Sequence, residues 1–205
     1  MIFDLDGTLT LVDSLWSYLH NHFETWDSGK VTAQKYKDGK ISYKDWAEAD
    51  AKVWTGISVD EVMKILNQIP YSKGAKDVFK SLHDKGVKTA IVSAGLSIFA
   101  DKVAKELGAD LAVANELEIV DGKLTGRITV NVSVADKDKV AKEIASQFNI
   151  PLEEIALVGD RGNDLSVPEC LKIAFRPADS IARSRADVIV DGDDLSRVLD
   201  YLTLA

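Results

Sequence analysis

The sequence predicts an α/β protein: a doubly wound, Rossmann-like parallel sheet, with a small helical unit inserted after the first strand and a β-hairpin later in the chain. Three observations carry this prediction. Short apolar runs rich in β-branched residues recur at 1–5, 89–92, 111–114, 155–158, 173–175 and 188–190, the pattern of strands buried on both faces. Segments of helical period lie between several of them, as parallel crossovers require. Finally, roughly ninety residues separate the end of the first run from the end of the second, whereas a βαβ unit needs about 30.

Taken in order, the first strand ends near Asp4, and the excess length after it assigns residues 12–72 to an inserted subdomain. Residues 1–11 and 73–205 then form the core domain. The insert reads as helical. Ser58-Val59-Asp60-Glu61 has the form of a capping box opening an apolar stripe through Val62, Ile65 and Leu66. Ser42 can cap the segment carrying Trp46, Ala49 and Val53. All four tryptophans, Trp16, Trp26, Trp46 and Trp54, fall in the insert; helical spacing favours core packing for them over a place in a substrate cleft. Beyond the insert, helices are predicted at 74–85, 98–107, 137–148 and 195–202. The runs 116–119 and 124–130 flank Asp121-Gly122-Lys123, a hairpin turn.

The 205 residues carry 33 acids against 25 bases, a net charge of −8. That balance lacks the basic footprint of a nucleic-acid partner and the basic runs of a membrane-surface protein. No apolar stretch approaches the ~18 residues of a membrane span, and the N-terminus lacks the layout of a secretory signal. Cys170 is the single cysteine, so neither an intrachain disulfide nor a cysteine-based zinc site can form, and a reducing cytoplasm is the expected location. Cys170 itself reads as a small buried hydrophobe. His20 and His22, two apart on a helix, do not share a face and read as no metal pair. Asp191, Asp193 and Asp194 read as capping the last helix.

The chemistry lies at the strand ends. Asp4 and Asp6, Ser93, and Asp160 each stand at or just beyond the carboxyl end of a predicted strand, and ligands of open α/β sheets bind outside those ends. Aspartate is disfavoured within strands. In Asp4-Leu5-Asp6-Gly7-Thr8 two of them point to one side, a costly pairing unless a cation or shared proton offsets it. Gly159-Asp160-Arg161-Gly162-Asn163-Asp164 brings two more carboxylates after the 155–158 run. Four carboxylates, Asp4, Asp6, Asp160 and Asp164, make an all-oxygen site suited to Mg²⁺ rather than zinc. Ser93-Ala94-Gly95 offers a hydroxyl and backbone N–H groups to an anion. Lys137 opens a helix whose N-terminus already favours anions. Read alone, Lys137 is a solvated surface lysine, and Lys139 fits the pattern as well.

This ordered set resembles the haloacid dehalogenase superfamily of phosphohydrolases, especially its phosphoserine-phosphatase-like branch. The resemblance rests on Asp4-Leu5-Asp6-Gly7-Thr8, Ser93, Lys137, and Gly159-Asp160 with Asn163-Asp164, and residues 150–175 look most like that branch. It implies a Mg²⁺-dependent hydrolysis of a small phosphorylated metabolite, with Asp4 as nucleophile and Asp6 as acid and base. Mg²⁺ would be held by Asp4, the Asp6 carbonyl and Asp160, with Asp164 close by. Thr8, Ser93, Ala94, Gly95, Lys137 and Asn163 would serve the phosphate. The resemblance also implies a cap arginine and a glutamate for phosphoserine's carboxylate. Here the first arginine is Arg127, Asp13 holds the glutamate's position as a candidate cap contact, and Asp50 stands about where the arginine is expected. That departure counts against phosphoserine itself. Arg161, where the branch has a small residue, either reaches an anionic part of the substrate or lies on the surface. Transfer to an acceptor other than water uses the same Asp4 chemistry. A receiver-like signalling domain or a non-catalytic phosphate binder shares the aspartates, but the insert and the Asp-x-Asp pair count against the receiver.

Overall fold

The computed structural model describes residues 1–202. Seven strands form one sheet in the order β4-β3-β2-β1-β5-β6-β7. They are β1 (Ile2–Phe3), β2 (Ala90–Leu96), β3 (Leu111–Val120), β4 (Lys123–Thr129), β5 (Ala156–Gly159), β6 (Leu171–Phe175) and β7 (Val188–Val190). Every pairing is parallel except β3 with β4, the hairpin expected at Asp121-Gly122. Both turn residues have positive φ, 49° and 71°, the conformation that a two-residue hairpin turn demands.

Alternation along the central strands divides the core into two layers. Phe3, Ile91, Val158, Ile173 and Phe175 face one cluster, which α5 (Ala75–Asp84) and α6 (Ser97–Leu107) complete with Phe79, Leu82, Phe99 and Val103. Ile2, Ala90, Val92, Leu157 and Ala174 face the other, built with Val140 and Ile144 of α7 (Lys137–Phe148) and Ala182 of α8 (Ser180–Arg185). Neighbouring residues therefore serve opposite faces, as the two-residue period requires. The sheet is wound outward in both directions from β1, so the switch point lies between β1 and its neighbours β2 and β5. Asp4 and Asp160 leave the sheet there, whereas β2 runs past its predicted end through Ser93 to Leu96, its pairing with β3 shifting register after Val92.

Five α-helices stand between β1 and β2, and four of them fall in the inserted stretch before α5: α1 (Leu15–His22), α2 (Trp26–Lys37), α3 (Tyr43–Val53) and α4 (Val59–Leu66). Ser42 and Asp45 form a reciprocal capping box at the start of α3. At α4 only half of the expected box forms: Ser58 Oγ accepts from the Glu61 N–H. The Ser58 backbone is instead engaged in an antiparallel bridge to Lys123. The hairpin thereby grips the insert, with Gly56 N–H donating to the Leu124 carbonyl and Val59 N–H to that of Gly122.

β1 stops at Phe3, a residue short of its predicted end near Asp4, because Asp4 N–H makes a last bond to the Val158 carbonyl and the chain then turns through Gly7 at φ 76°. The last predicted helix forms as a 3₁₀ helix over Leu195–Tyr201. Asp194 caps it by accepting from Ser196 N–H. Cys170 is buried. No described helix is long and apolar enough to cross a membrane.

Candidate active site

A cavity of about 480 Å³ opens at the carboxyl ends of β1 and β2, roofed by the inserted helices. Asp4, Asp6, Ser93, Ala94, Gly95, Lys137, Asn163 and Asp164 all lie on its wall, and so do Asp13 and Arg161. Residues far apart in the chain thus meet because the sheet order makes their strands neighbours. Thr8, expected among the phosphate ligands, is not on the wall. It is fully buried beneath the turn, its hydroxyl has no partner, and its carbonyl accepts from Ser72 Oγ.

Lys137 is the hub of the charged end. Its Nζ lies 2.5 Å from Asp4 Oδ1 and 2.6 Å from Asp164 Oδ1, with the side chain only 8% exposed. The surface reading of Lys137 is thereby overturned: α7 begins at the sheet's carboxyl edge, and its first residue points inward onto two carboxylates. Lys139 faces solvent and pairs with Glu143. Burial opposes the Lys137 charge, but Asp164 and Asp4 overcome it and push its pKa up. Burial, with Asp164 adding to it, raises Asp4 well above the usual carboxylate range despite Lys137. Burial likewise lifts Asp160, again with Asp164, to about 7.

Oxygens of Asp4, Asp160 and Asp164 lie within 4.8 Å of one another, and Asp160 Oδ1 is buried without a partner. An all-oxygen cluster with an unspent acceptor, in which burial pushes Asp4 and Asp160 up, fits a hard divalent cation. Two glycines allow this approach. A Cβ on Gly7 would stand 2.6 Å from Asp160 Oδ2, and one on Gly159 would stand 2.2 Å from Asp164 Cβ.

Asp6 is held differently. Its Oδ2 accepts from Leu15 N–H, the first residue of α1, at 2.7 Å, while Oδ1 is buried and unpartnered. Burial raises Asp6 to about 6, with the Leu15 N–H pulling the other way. Across the cavity, Gly95 N–H donates to Ser93 Oγ at 2.9 Å. The Ala94 carbonyl accepts from Trp16 Nε1 (3.1 Å), Asn115 Nδ2 (2.9 Å) and the Tyr43 hydroxyl.

Several supporting residues escaped sequence reasoning. Asn115, fully buried, also accepts Asn131 N–H and Val132 N–H, each at 2.9 Å, and so joins three segments. Arg176 donates to the Gly7 carbonyl and to Ser72 Oγ. A polar residue interrupting the apolar start of β3 was the one available signal for Asn115; Arg176 gave none. The histidines separate: His22 is exposed, whereas His20 is buried on the cavity wall with Nε2 3.1 Å from Asp50 Oδ2. The tryptophans also divide. Trp54 and Trp16 are core, and Trp16 also reaches the cavity wall with the less buried Trp26 and Trp46, because the inserted helices turn their apolar stripes toward the sheet's open end.

Residues 1–168 match the haloacid dehalogenase-like hydrolase family. The chain belongs to that family. It falls on the phosphoserine-phosphatase-like branch and is an enzyme of the phosphatase class. It is 32% identical to a phosphoserine phosphatase of Archaeoglobus fulgidus over its whole length, spanning 60% of that protein. To the phosphoserine phosphatase of Methanocaldococcus jannaschii it is 30% identical, covering 98% of this chain and 96% of that one. Among solved structures, a substrate-bound phosphoserine phosphatase complex superposes with a TM-score of 0.83 at 29% identity, covering 98% of this chain and 97% of the other. A phospho-aspartyl intermediate analogue of phosphoserine phosphatase gives 0.81, also at 29% identity and with the same coverage.

Proposed function

We propose that this family member hydrolyses the phosphate monoester of a small metabolite, with Mg²⁺, through an aspartyl-phosphate on Asp4. The carrying observation is the convergence on one cavity of Asp4, Asp6, Ser93, Lys137 and Asp164, drawn from three strand ends and a helix start. The named activity of the relatives, phosphoserine phosphatase, supports a small phosphorylated substrate. In this reading residues 12–72 are the cap and residues 1–11 and 73–205 the core. With one cysteine in the chain, a reducing cytoplasm is the proposed setting.

Lys137 fixes Asp4 Oδ1, which leaves Oδ2 to attack phosphorus while the bond to the leaving oxygen breaks. Asp6, pushed up to about 6 by burial, is poised to give its proton to that oxygen and then to take one from water. Water attack at phosphorus frees Asp4 and releases phosphate. Ser93, Lys137, Asn163 and the N–H groups of Ala94 and Gly95 hold the phosphoryl oxygens; this requires Gly95 N–H to exchange its bond from Ser93 Oγ to substrate. Asp4, the Asp6 carbonyl, Asp160 and Asp164 would hold Mg²⁺. When bound, Mg²⁺ would offset the charge on phosphate and the clustered carboxylates.

A phosphate-release screen over phosphorylated metabolites and p-nitrophenyl phosphate, with Mg²⁺ or with chelator, tests this directly. Turnover that needs Mg²⁺ and vanishes in Asp4→Asn is expected. Turnover surviving that substitution would remove Asp4 as nucleophile.

A further inference from the structure

The cavity's cap end has a polar complement that the phosphate chemistry does not use. The Trp46 indole N–H is buried without a partner, and so is His20 Nε2. Asp50 spends Oδ1 on the Thr32 hydroxyl at 2.7 Å, while Oδ2 meets His20 Nε2 at 3.1 Å outside hydrogen-bond geometry. His20 Nδ1 contacts Thr25 Oγ1, which also receives Trp54 Nε1. Gly29 lets α2 close onto the imidazole, since a Cβ there would stand 2.8 Å from Nε2. His20 and Asp50 are each 1% exposed, and both line the cavity with Trp46 and Asp13. Polar side chains kept this dry in a substrate cavity leave their free atoms to whatever enters.

We infer that the leaving group is a polyol, a sugar or shorter polyhydroxylated chain, read at the cap end by Asp50, His20 and Trp46. This inference rests on the phosphatase reading and names its substrate class. A hydroxyl both donates to a carboxylate and accepts from an indole or imidazole N–H. A carboxylate on the leaving group could only accept, and would face Asp50 and Asp13 in an insert that carries no arginine, the cations on the cavity wall being Lys37, Lys137 and Arg161. An ammonium could only donate, leaving the Trp46 N–H stranded. The faces of Trp46 are also engaged by Tyr36, stacked at 5.5 Å, and Trp16 at 5.2 Å, which leaves no open cage for a cation. Apolar ring edges and a cavity of about 480 Å³ suit the C–H surface of a chain larger than serine.

The test compares near-isosteric esters on the Mg²⁺-loaded enzyme: glycerol 3-phosphate, n-propyl phosphate, 3-phosphoglycerate and phosphoserine, then glucitol 6-phosphate against n-hexyl phosphate, with p-nitrophenyl phosphate as reference. Sites built to hydrogen-bond a hydroxyl reject the analogue lacking it. We expect each polyol ester to exceed its alkyl and carboxylate counterparts at least tenfold in kcat/KM. Asp50→Asn and Trp46→Phe should each lower the polyol-to-alkyl ratio severalfold; if Asp50→Asn does not fold, the Trp46→Phe and wild-type ratios still decide. Turnover of the aryl ester with alkyl esters equal to polyols, or with 3-phosphoglycerate or phosphoserine preferred, overturns this inference alone. No turnover of any ester overturns the phosphatase reading with it.

Discussion

Replacing Asn115 with leucine, close to it in volume, should cost stability and activity together. Asn115 is fully buried and makes four hydrogen bonds: Nδ2 to the Ala94 carbonyl and the Tyr43 hydroxyl, Oδ1 from the Asn131 and Val132 N–H groups. Leucine strands the buried Val132 N–H outright, at about 1–3 kcal/mol. Asn131 is exposed and can turn to water, so its loss is smaller. Ala94 keeps Trp16 and Tyr43 as donors. Burying the leucine methyls returns about 1 kcal/mol, leaving a net loss of about 2 kcal/mol. With a urea m-value of about 2 kcal/mol/M, the midpoint should fall by about 1 M. The exposed Asn21→Leu in α1 serves as control and should move it by about 0.2 M or less. Because Ala94 lies on the cavity wall, kcat/KM should drop about tenfold, equivalent to about 1.4 kcal/mol of transition-state stabilisation. A midpoint within 0.3 M of wild type would refute the reasoning, since it would mean these bonds are exchanged for others at little cost.

Two further predictions concern the charged end. Lys137→Ala should reduce kcat/KM by about a hundredfold or more, whereas Lys139→Ala, in solvent beside Glu143, should stay within about twofold in the same phosphate-release assay. Gly7→Ala should be far worse than its one methyl suggests: φ is 76° and the new Cβ would meet Asp160 Oδ2 at 2.6 Å. A thermal melt should show destabilisation of about 1–2 kcal/mol from the backbone alone, with turnover nearly abolished; a variant of wild-type activity would mean that the turn tolerates the displacement of Asp160.

Much of this site was legible because strand ends are legible. Apolar runs of four or five residues place their last residue at the sheet's edge, and polar residues at those points have nowhere to go but the crevice. Asp4 and Asp160 follow from that rule, Ser93 only by nearness since β2 runs on to Leu96, and the long interval after β1 follows from arithmetic. Lys137 did not follow from its neighbours alone, since a lysine at a helix start is solvated unless tertiary packing turns the first helical turn inward. Resemblance to a known family supplied what periodicity could not. Thr8 shows the opposite limit: a hydroxyl in a motif looks like a ligand, yet the sharp turn at Gly7 carries it under the loop. The cap half was the least readable. Trp46 and Trp54 are both on apolar stripes, and only helix packing decides that one closes the core and the other the cavity. His20 and Asp50 lie 30 residues apart on different helices, so no local pattern joins them.

The inserted helices are coupled to the reaction through the core's own loops. Leu15 N–H, at the first turn of α1, fixes Asp6 Oδ2, and the helix N-terminus supplies that donor because its first amides have no partner within the helix. Trp16 and Tyr43, from α1 and α3, converge on the Ala94 carbonyl and so fix the Ser93-Ala94-Gly95 segment. The residue chosen to donate a proton and the loop chosen to receive phosphate are thus both held by the insert. Substitutions in α1 and α3 that leave the leaving-group contacts intact should therefore act on kcat as much as on KM, because the insert positions catalytic groups as well as enclosing substrate.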